Sequence, residues 1–350
     1  MVEHEHAQEL QDTAREIVSE GRGILAADES TGTITKRFEQ LGIESTEESR
    51  RTYRQLLFTT EGIGEFISGA ILYDETIRQS TDDGTPFPQA LNDQGTIPGI
   101  KVDTGAKPLA LASDEKVTEG LDGLRERLEE YRELGARFAK WRGVIQIGDG
   151  MPTSYCLDVN AHALARYAAL CQEAGIVPIV EPEVMMDGDH PIERCYEVTT
   201  ETLYRVFAAL FEQNVLLEGV LLKPNMILPG KDAEEQKSVE EVAQTTLNCM
   251  RTVVPAAVPG IVFLSGGQGN ELATARLNAM NEIAKQDPQP WELAFSYARA
   301  LQGPPIETWV GQEEKVSEAQ AQYYHRARLN SAARKAEYSE DMEKELAPAA

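Results

Sequence analysis

Histidine and cysteine are scarce in this chain, which argues against a zinc site and against a CxxC site. Among 350 residues there are five histidines and four cysteines. No histidine or cysteine spacing is typical of a zinc site, and the cysteines form no CxxC pair. We therefore expect no metal and no cofactor. We interpret the thiols as reduced core residues of a cytoplasmic protein.

Basic residues and long apolar runs are also in short supply. The chain has 33 Lys and Arg against 58 Asp and Glu, a formal net charge of -25 at pH 7. Such a chain would repel a phosphate backbone, so we expect no nucleic-acid partner. No apolar run reaches the length of about 18 residues that a membrane helix needs, so we expect no membrane partner. The acidic start, MVEHEH, is typical of neither a secretory signal nor a transit peptide.

The chain does have a regular alternation of apolar runs and helical patterns. Strands are predicted at 21–30, 66–72, 97–102, 136–141, 175–183, 218–223, 260–268 and 292–298. Helices are predicted at 1–20, 46–60, 118–134, 154–174, 192–212, 238–252, 270–284 and 314–335. Alternation of this kind indicates parallel strands joined by helices. The prediction is a single-domain TIM (β/α)8 barrel over 1–350, with a loop at 31–33, an N-terminal helix and a mobile tail at 336–350.

One stretch, EGVLLKPNM at 218–226, indicates a reactive lysine. Its apolar run enters Lys223 and is closed at once by Pro224, which is typical of a buried strand end. Desolvation and cationic neighbours would lower the pKa of such a lysine and make its amine a nucleophile toward carbonyls. The alternative is a strand-end lysine whose charge reaches water.

The other predicted strand ends carry charged or turn residues that would meet at one mouth of the barrel. These are Asp28, Lys101, Lys140, Arg142, Glu181, Glu183, Ser265, Gly266 and Arg299. Cations gathered at one mouth of an acidic chain indicate an anionic small molecule as ligand. The Ser-Gly-Gly turn is at a position where barrels commonly bind phosphate, and Arg299 would add a charged contact.

Each of these groups also has a structural alternative. Asp28 could be a loop acid or a helix cap, and the two glutamates could form structural ion pairs with Lys140 and Arg142. The Ser265 turn could be only a turn. Lys36 and Arg37 could form a second phosphate site or a solvated helix start.

If the catalytic interpretation holds, Lys223 would form an iminium ion with a ketone, Glu181 and Asp28 would move protons, and Lys140 would lower the pKa of Lys223.

Ten stretches together resemble the class I (Schiff-base) fructose-bisphosphate aldolases, over residues 21 to about 335. They are GILAADESTGTITKR (23–37), YRQLLFTT (53–60), DDGTPFPQ (82–89), GIKVDTG (99–105), GLDGLRER (120–127), FAKWR (138–142), GIVPIVEPE (175–183), LEGVLLKPNM (217–226), FLSGGQ (263–268) and FSYARAL (295–301). The resemblance implies a metal-independent lyase of glycolysis and gluconeogenesis. Such an enzyme reversibly cleaves fructose 1,6-bisphosphate to dihydroxyacetone phosphate and glyceraldehyde 3-phosphate, and it is usually a homotetramer.

The resemblance also implies roles for individual residues. Lys223 is similar to the Schiff-base lysine, and Glu181 to the acid/base at the carbinolamine, with Lys140 and Glu183 as catalytic neighbours. Asp28 resembles the group that deprotonates the hydroxyl at the cleaved bond. The phosphate nearest the ketone would contact Ser265, Gly266 and Arg299. The other phosphate end would contact Ser30, Lys36, Arg37 and Arg142, with Lys101 in the same charged mouth.

The chain departs from the family pattern at two points. The animal-type family ends in a tyrosine that assists proton exchange, whereas the last tyrosine here is Tyr338. Either Tyr338 assists proton exchange in this protein, or exchange is slower or uses another group. We favour the alternative in which Tyr338 does not assist. Ala298 stands where the pattern has glycine before the arginine.

Two other functions stay open. One is a non-catalytic phosphosugar-binding or scaffolding protein. The other is a different Schiff-base lyase, which the second cationic cluster, Lys36 and Arg37, disfavours.

Overall fold

The computed structural model describes residues 5–112 and 114–344. The strands are β1 (Gly23–Ala26), β2 (Ile67–Leu72), β3 (Ile97–Lys101), β4 (Gly105–Pro108), β5 (Lys116–Glu119), β6 (Phe138–Ile145), β7 (Val177–Val184), β8 (Leu221–Leu222), β9 (Gly260–Phe263) and β10 (Glu292–Tyr297). The helices are α1 (Ala7–Ile17), α2 (Thr31–Gln40), α3 (Glu47–Phe58), α4 (Asp74–Ile77), α5 (Phe87–Asp93), α6 (Leu124–Glu133), α7 (Ser154–Glu173), α8 (Ile192–Glu212), α9 (Val239–Val253), α10 (Asn270–Gln286), α11 (Arg299–Trp309) and α12 (Val316–Arg334). Short 3-10 helices lie at Ile63–Glu65, Leu217–Gly219, Glu313–Lys315 and Glu340–Lys344.

Eight strands close into a parallel barrel in the order β1-β10-β9-β8-β7-β6-β3-β2. The predicted TIM barrel is therefore confirmed. The pairing register sets charged residues beside one another, with Lys101 opposite Lys140 and Arg142 opposite Glu181. Because all eight strands run the same way, their carboxyl ends meet at a single mouth.

Helix α1 closes the opposite end of the barrel. Leu10, Ala14 and Ile17 on one side of this helix pack with the apolar residues that fill the barrel interior. Two glycines permit the close approach: a Cβ on Gly219 would lie 2.9 Å from Leu10, and one on Gly260 would lie 2.6 Å from Val18. The apolar period of the first twenty residues predicted this helix, and in the described part of the chain it runs from Ala7 to Ile17.

The predictions for two connecting segments, 31–33 and 118–134, were wrong. Residues 31–33, predicted as a loop, begin α2, with Ser30 at its N-cap. The predicted helix at 118–134 starts at Leu124 instead, because the residues before it form the second arm of the antiparallel hairpin β4–β5. Thr118 of that hairpin donates a hydrogen bond to the Arg142 carbonyl, a tertiary contact that local periodicity does not report.

The C-terminal segment 336–350 was predicted to be a mobile tail, and its mobility stays a prediction. Over the described residues the segment contacts the barrel, because Tyr338 is buried and its backbone N–H donates to the Asn278 side chain. Glu343 pairs with the buried Arg326. Residues 336–344 therefore pack on the barrel, while 345–350 lie outside the described residues. The single-domain organisation of the chain stays a prediction.

Within 5–112 and 114–344, no helix combines the length and the apolar character that crossing a membrane requires. The four cysteines are all buried and free, as the sequence predicted.

Candidate active site

A cavity of about 230 Å³ opens at the carboxyl ends of the strands. It is lined by Ala26, Asp28, Glu29, Ser30, Thr33, Lys101, Lys140, Arg142, Glu181, Glu183, Lys223, Leu264, Ser265, Gly266, Ser296, Ala298 and Arg299. Every predicted site residue is among them except Lys36 and Arg37. The residues come from distant parts of the sequence, and the barrel topology is what gathers them.

A chain of alternating charges runs across the floor of this cavity. The Lys223 amine lies 3.1 Å from Glu181 Oε1, and the Lys140 amine lies 3.1 Å from Glu181 Oε2. Lys140 Nζ also lies 2.8 Å from Asp28 Oδ2. Lys223, Glu181 and Lys140 are each less than 5% exposed. Each carboxylate therefore has a cation within contact distance, and Glu181 has one on each oxygen.

These neighbours set the ionisation of both acids. Burial by itself would raise the pKa of Asp28, but the charges of Lys140, Lys223 and Lys101 lower it far below its ordinary value. Burial likewise opposes ionisation of Glu181, yet the charges of Lys140, Lys223 and Arg142 leave its pKa below the usual range. For Lys140, burial lowers the pKa but Asp28 and Glu181 raise it well above normal. Both carboxylates are therefore ionised at neutral pH, with Lys140 as their shared cation.

Lys223 is held by the backbone that surrounds it. Strand β8 is short, but the Lys223 N–H continues its ladder by donating to the Val180 carbonyl at 2.9 Å. Pro224 follows and has no N–H to offer a neighbouring strand. The buried Asn225 side chain replaces that ladder, because its Oδ1 accepts from the Val184 N–H at 3.0 Å and its amide donates to Thr199. The lysine is thus fixed between strand pairing before it and side-chain hydrogen bonds after it.

One cationic group lies on neighbouring strands β3 and β6. Lys101 Nζ lies 2.7 Å from Asp103 Oδ1, and the Arg142 side chain pairs with Glu183. Arg142 also donates to the Met185 sulfur at 3.5 Å. Both cations have one acidic partner and still face the cavity. Both cations are therefore already in position to contact an anion in the cavity.

A second group lies just after β9 and β10. Ser265 is buried, and it is followed by Gly266 and Gly267 with φ of +54° and +92°, the left-handed region that glycine adopts readily. A Cβ on Gly267 would lie 3.3 Å from the Arg299 guanidinium. The exposed Arg299 therefore lies directly over a turn whose backbone can present N–H groups to an anion.

The barrel order puts these two groups on opposite sides of the mouth. Counting around the ring, β10 is four strands from β6, and β9 is four strands from β3. The Lys223–Glu181–Lys140–Asp28 chain occupies the space between them. The arrangement suits a small molecule with an anionic group at each end and a carbonyl between them. Within the described ranges, no cluster of three or more His, Cys, Asp or Glu side chains could hold a metal ion.

Comparisons with known proteins agree on one family. The model of the family described as fructose-bisphosphate aldolase class-I matches residues 9–349. A probable fructose-bisphosphate aldolase class 1 of Xylella fastidiosa is 59% identical over 93% of this chain and 97% of its own. Fructose-bisphosphate aldolase 1 of Toxoplasma gondii is 51% identical over 96% of this chain and 93% of its own. The chain belongs to the class I fructose-bisphosphate aldolases.

A solved structure extends the agreement to three dimensions. Fructose-bisphosphate aldolase from Plasmodium falciparum, solved with TRAP and a small-molecule inhibitor, superposes with a TM-score of 0.94. It shares 48% of its sequence with this chain, and 97% of each chain is covered. The aldolase fold therefore extends over nearly the whole chain.

Two residues that the aldolase resemblance assigns to phosphate do not line the cavity. Lys36 is exposed on α2, and Arg37 forms an ion pair with Glu29. Glu29 is buried and also accepts from Arg54 at 2.7 Å and from the Gln302 amide at 3.0 Å. Contacts of Lys36 and Arg37 with substrate stay a prediction. In the structure, Arg37 instead helps hold the segment that carries Asp28 and Ser30.

Sequence reasoning missed Glu29, Arg54 and Gln302 as supports of the site. A signal for Arg54 existed, since it occupies the apolar face of α3 between Tyr53 and Leu56. An arginine on a buried face needs an acidic partner, and Glu29 is that partner. Nothing in the local sequence pointed to Gln302, whose amide also donates to the Ala26 carbonyl at 2.6 Å.

The two departures from the aldolase pattern can be located. Tyr338, the last tyrosine, is buried away from the lining residues, and its hydroxyl donates to Glu343 at 2.9 Å. This position supports the prediction that Tyr338 does not take part in proton exchange. Ala298 lines the cavity at the N-cap of α11, directly before Arg299. Its methyl group lies at the cavity edge that carries this arginine.

Proposed function

We propose that this aldolase reversibly cleaves fructose 1,6-bisphosphate to dihydroxyacetone phosphate and glyceraldehyde 3-phosphate through a Schiff base on Lys223. It is a metal-independent lyase of glycolysis and gluconeogenesis. The observation that carries the assignment of residues is the position of Glu181, whose two oxygens contact the amines of Lys223 and Lys140. A nucleophilic amine beside an acid/base carboxyl is what carbonyl condensation requires.

Glu181 is proposed to move the protons of Schiff-base formation. Lys223 must lose a proton to attack the ketone, and the carbinolamine hydroxyl must gain one to leave as water. A carboxylate 3.1 Å from the amine can accept the first proton and return it to the hydroxyl. Lys140 favours the ionised form of Glu181 before the first proton is accepted and after it is returned, and as a fixed charge it stabilises negative charge that develops on the substrate oxygens.

Asp28 is proposed as the base of the cleavage step. Removal of the hydroxyl proton next to the scissile carbon–carbon bond forms the aldehyde carbonyl. The electrons of the broken bond then flow into the iminium ion on Lys223 and give an enamine. Asp28 is ionised and held by Lys140 on the opposite side from Glu181, which supports this division of roles.

The two cationic groups are proposed as the two phosphate sites. Ser265, Gly266 and Arg299 would bind the phosphate nearest the ketone. The other phosphate would contact Ser30, Lys36, Arg37 and Arg142, with Lys101 in the same charged mouth. Glu183 would orient Arg142 through their ion pair. Their separation across the mouth favours a bisphosphate over a monophosphate, since a monophosphate would leave one group unused.

Borohydride trapping tests the proposed function. The protein is incubated with dihydroxyacetone phosphate, reduced, digested and examined for a mass adduct, with EDTA present throughout. We expect a stable adduct on Lys223 alone and a cleavage rate that EDTA does not change. A cleavage rate that EDTA abolishes, with no adduct, would overturn the mechanism. Absence of both adduct and cleavage would favour a phosphosugar-binding or scaffolding protein.

We also propose that the chain forms a homo-oligomer, a tetramer by family resemblance, in the cytoplasm. Tyr204 and Phe211 are 68% and 81% exposed on α8. They are seven residues apart, about two helical turns, so both lie on one face of the helix. Two large exposed aromatic side chains on one face are typical of a protein interface. A second copy of this chain is the proposed occupant.

Replacing both aromatic residues should weaken the assembly. In the double variant Tyr204→Glu and Phe211→Glu, like charges would replace apolar contacts, so the mass measured by light scattering after gel filtration should fall to that of a smaller species. Leu272→Glu is the matched control, because Leu272 is 40% exposed on α10, away from this face. An unchanged mass in the double variant would place the interface elsewhere.

A further inference from the structure

The buried guanidinium of Arg326, on α12, joins two helices that flank the mouth of the barrel. Its Nε donates to the Ala300 carbonyl at 3.2 Å. Its Nη2 donates to the Asn270 carbonyl at 3.2 Å and to the Thr274 hydroxyl at 2.7 Å. Arg326 is 3% exposed, so water does not compete for these bonds. A planar guanidinium with donors in fixed directions holds its acceptors in a fixed relation to one another.

The acceptors belong to the parts of the chain that form the proposed phosphate site. Asn270 begins α10 directly after the turn that contains Ser265 and Gly266. Ala300 is the second residue of α11, next to Arg299. The two helix starts are also in close contact, since a Cβ on Gly303 would lie 3.3 Å from the Asn270 side chain. Arg326 therefore fixes the spacing between the glycine turn and the arginine above it.

The counter-charge for Arg326 comes from the C-terminal segment. Both oxygens of Glu343 accept from Arg326 Nη1 at 2.7 Å. Tyr338 supports the same carboxylate by donating its hydroxyl to Glu343 Oε1. The Glu343 side chain is 15% exposed, so the pair is largely desolvated. Without Glu343, the guanidinium would be a buried charge with no acidic partner among the residues that the structure describes, and it would move toward water.

We propose that Glu343 is a positioning residue for the phosphate nearest the ketone, and that it acts through Arg326 on the starts of α10 and α11. The inference rests on the proposed function, because it takes the Ser265–Gly266 turn and Arg299 as the phosphate site. It gives the segment 336–344 a part in substrate binding without any contact between that segment and the cavity. Loss of the pair would change the geometry of the anion site and leave the Lys223–Glu181–Lys140 chain as it is.

The test compares two ketones that differ only in the phosphate. Borohydride trapping as a function of ketone concentration gives an apparent binding constant for dihydroxyacetone phosphate and another for dihydroxyacetone. Glu343→Gln should weaken binding of the phosphorylated ketone about three- to thirtyfold. Binding of dihydroxyacetone should not change, and kcat for fructose 1,6-bisphosphate should stay within about twofold while KM rises. A general loss of structure would instead weaken both ketones alike.

The matched control is Asp341→Asn, which makes the same change of charge in the same segment. Asp341 is exposed and, within the described part of the chain, its ion pair is with the exposed Lys344, so neither constant should move. Equal weakening of both ketones in Glu343→Gln would overturn the proposal, as would constants equal to those of the unmodified protein. Failure of the unmodified protein to give any Lys223 adduct would instead refute the proposed function.

Glu343→Asp keeps the test decisive if Glu343→Gln does not fold. The aspartate retains the charge, but its side chain is one carbon shorter and cannot reach Arg326 with both oxygens in the same geometry. We expect a smaller weakening, again confined to the phosphorylated ketone, with secondary structure by circular dichroism unchanged. If the two ketones respond alike in a folded Glu343→Asp protein, Glu343 has only a structural role.

Discussion

Replacing Lys223 with methionine should lower kcat for fructose 1,6-bisphosphate cleavage by about five to six orders of magnitude, the size of effect seen when a covalent nucleophile is removed. Methionine has a similar length and shape but no amine, so it cannot form an iminium ion. Because the iminium is the only electron sink that the proposed mechanism offers, the carbon–carbon bond should not break at a measurable rate. No adduct should form with dihydroxyacetone phosphate after borohydride reduction.

The rest of the site should survive this substitution. Glu181 keeps the Lys140 amine at 3.1 Å, and Asp28 keeps it at 2.8 Å, so both carboxylates still have a cation. Lys315→Met is the control for loss of one lysine, because Lys315 is partly exposed, does not line the cavity and, among the described residues, forms its ion pair with Glu318. Its kcat should be unchanged. If Lys223→Met retained activity within about tenfold of the unmodified enzyme, a Schiff base on Lys223 could not be the route.

Much of this site was predictable because a barrel simplifies the problem. Each strand is a short apolar run, and a parallel eight-stranded barrel brings every strand's carboxyl end to one mouth. Lys223, Glu181 and Asp28 could therefore be grouped before any distance was known, although they lie in separate strands. The separation of the two cationic groups across the mouth was not among the predictions, and it follows from the strand order that the structure shows.

What the sequence could not predict depends on contacts between distant segments. Arg37 was assigned to a phosphate by the aldolase resemblance, and that contact stays a prediction. Its ion pair with the buried Glu29 was not predictable from the local sequence. The contacts of the segment after 336, which was predicted to be a mobile tail, were likewise not predictable: in the structure Glu343 pairs with the buried Arg326. Its partner Arg326 lies in α12, whose buried residues include many polar side chains and form no single apolar face. Unlike Arg54 in α3, Arg326 is therefore not marked as buried by the local pattern.

Replacing Lys140 with methionine should destabilise the fold and change how its stability depends on pH. Lys140 is the shared cation of two buried carboxylates, and removal of one partner from a buried ion pair costs about 3–5 kcal/mol. Burial raises the pKa of Asp28 and of Glu181, and the charge of Lys140 is the largest influence that lowers it. In the variant both pKa values should therefore rise. The free energy of unfolding at pH 7 should fall by roughly this amount.

The sign of the pH dependence follows from these directions. In the unmodified protein, both carboxyls have folded-state pKa values below their unfolded values of about 4. Their contribution to stability is therefore present above that pH and is lost as the pH falls toward the folded-state values. With Lys140 absent, that contribution is smaller or reversed in sign, so acidification should destabilise the variant less. Urea unfolding at pH 7, 5, 4 and 3 should show a stability difference that is largest at pH 7 and shrinks toward pH 3. The stability of Lys315→Met should equal that of the unmodified protein at every pH. If the stability difference for Lys140→Met instead stayed constant or grew with acidification, Lys140 would not be what keeps Asp28 and Glu181 ionised.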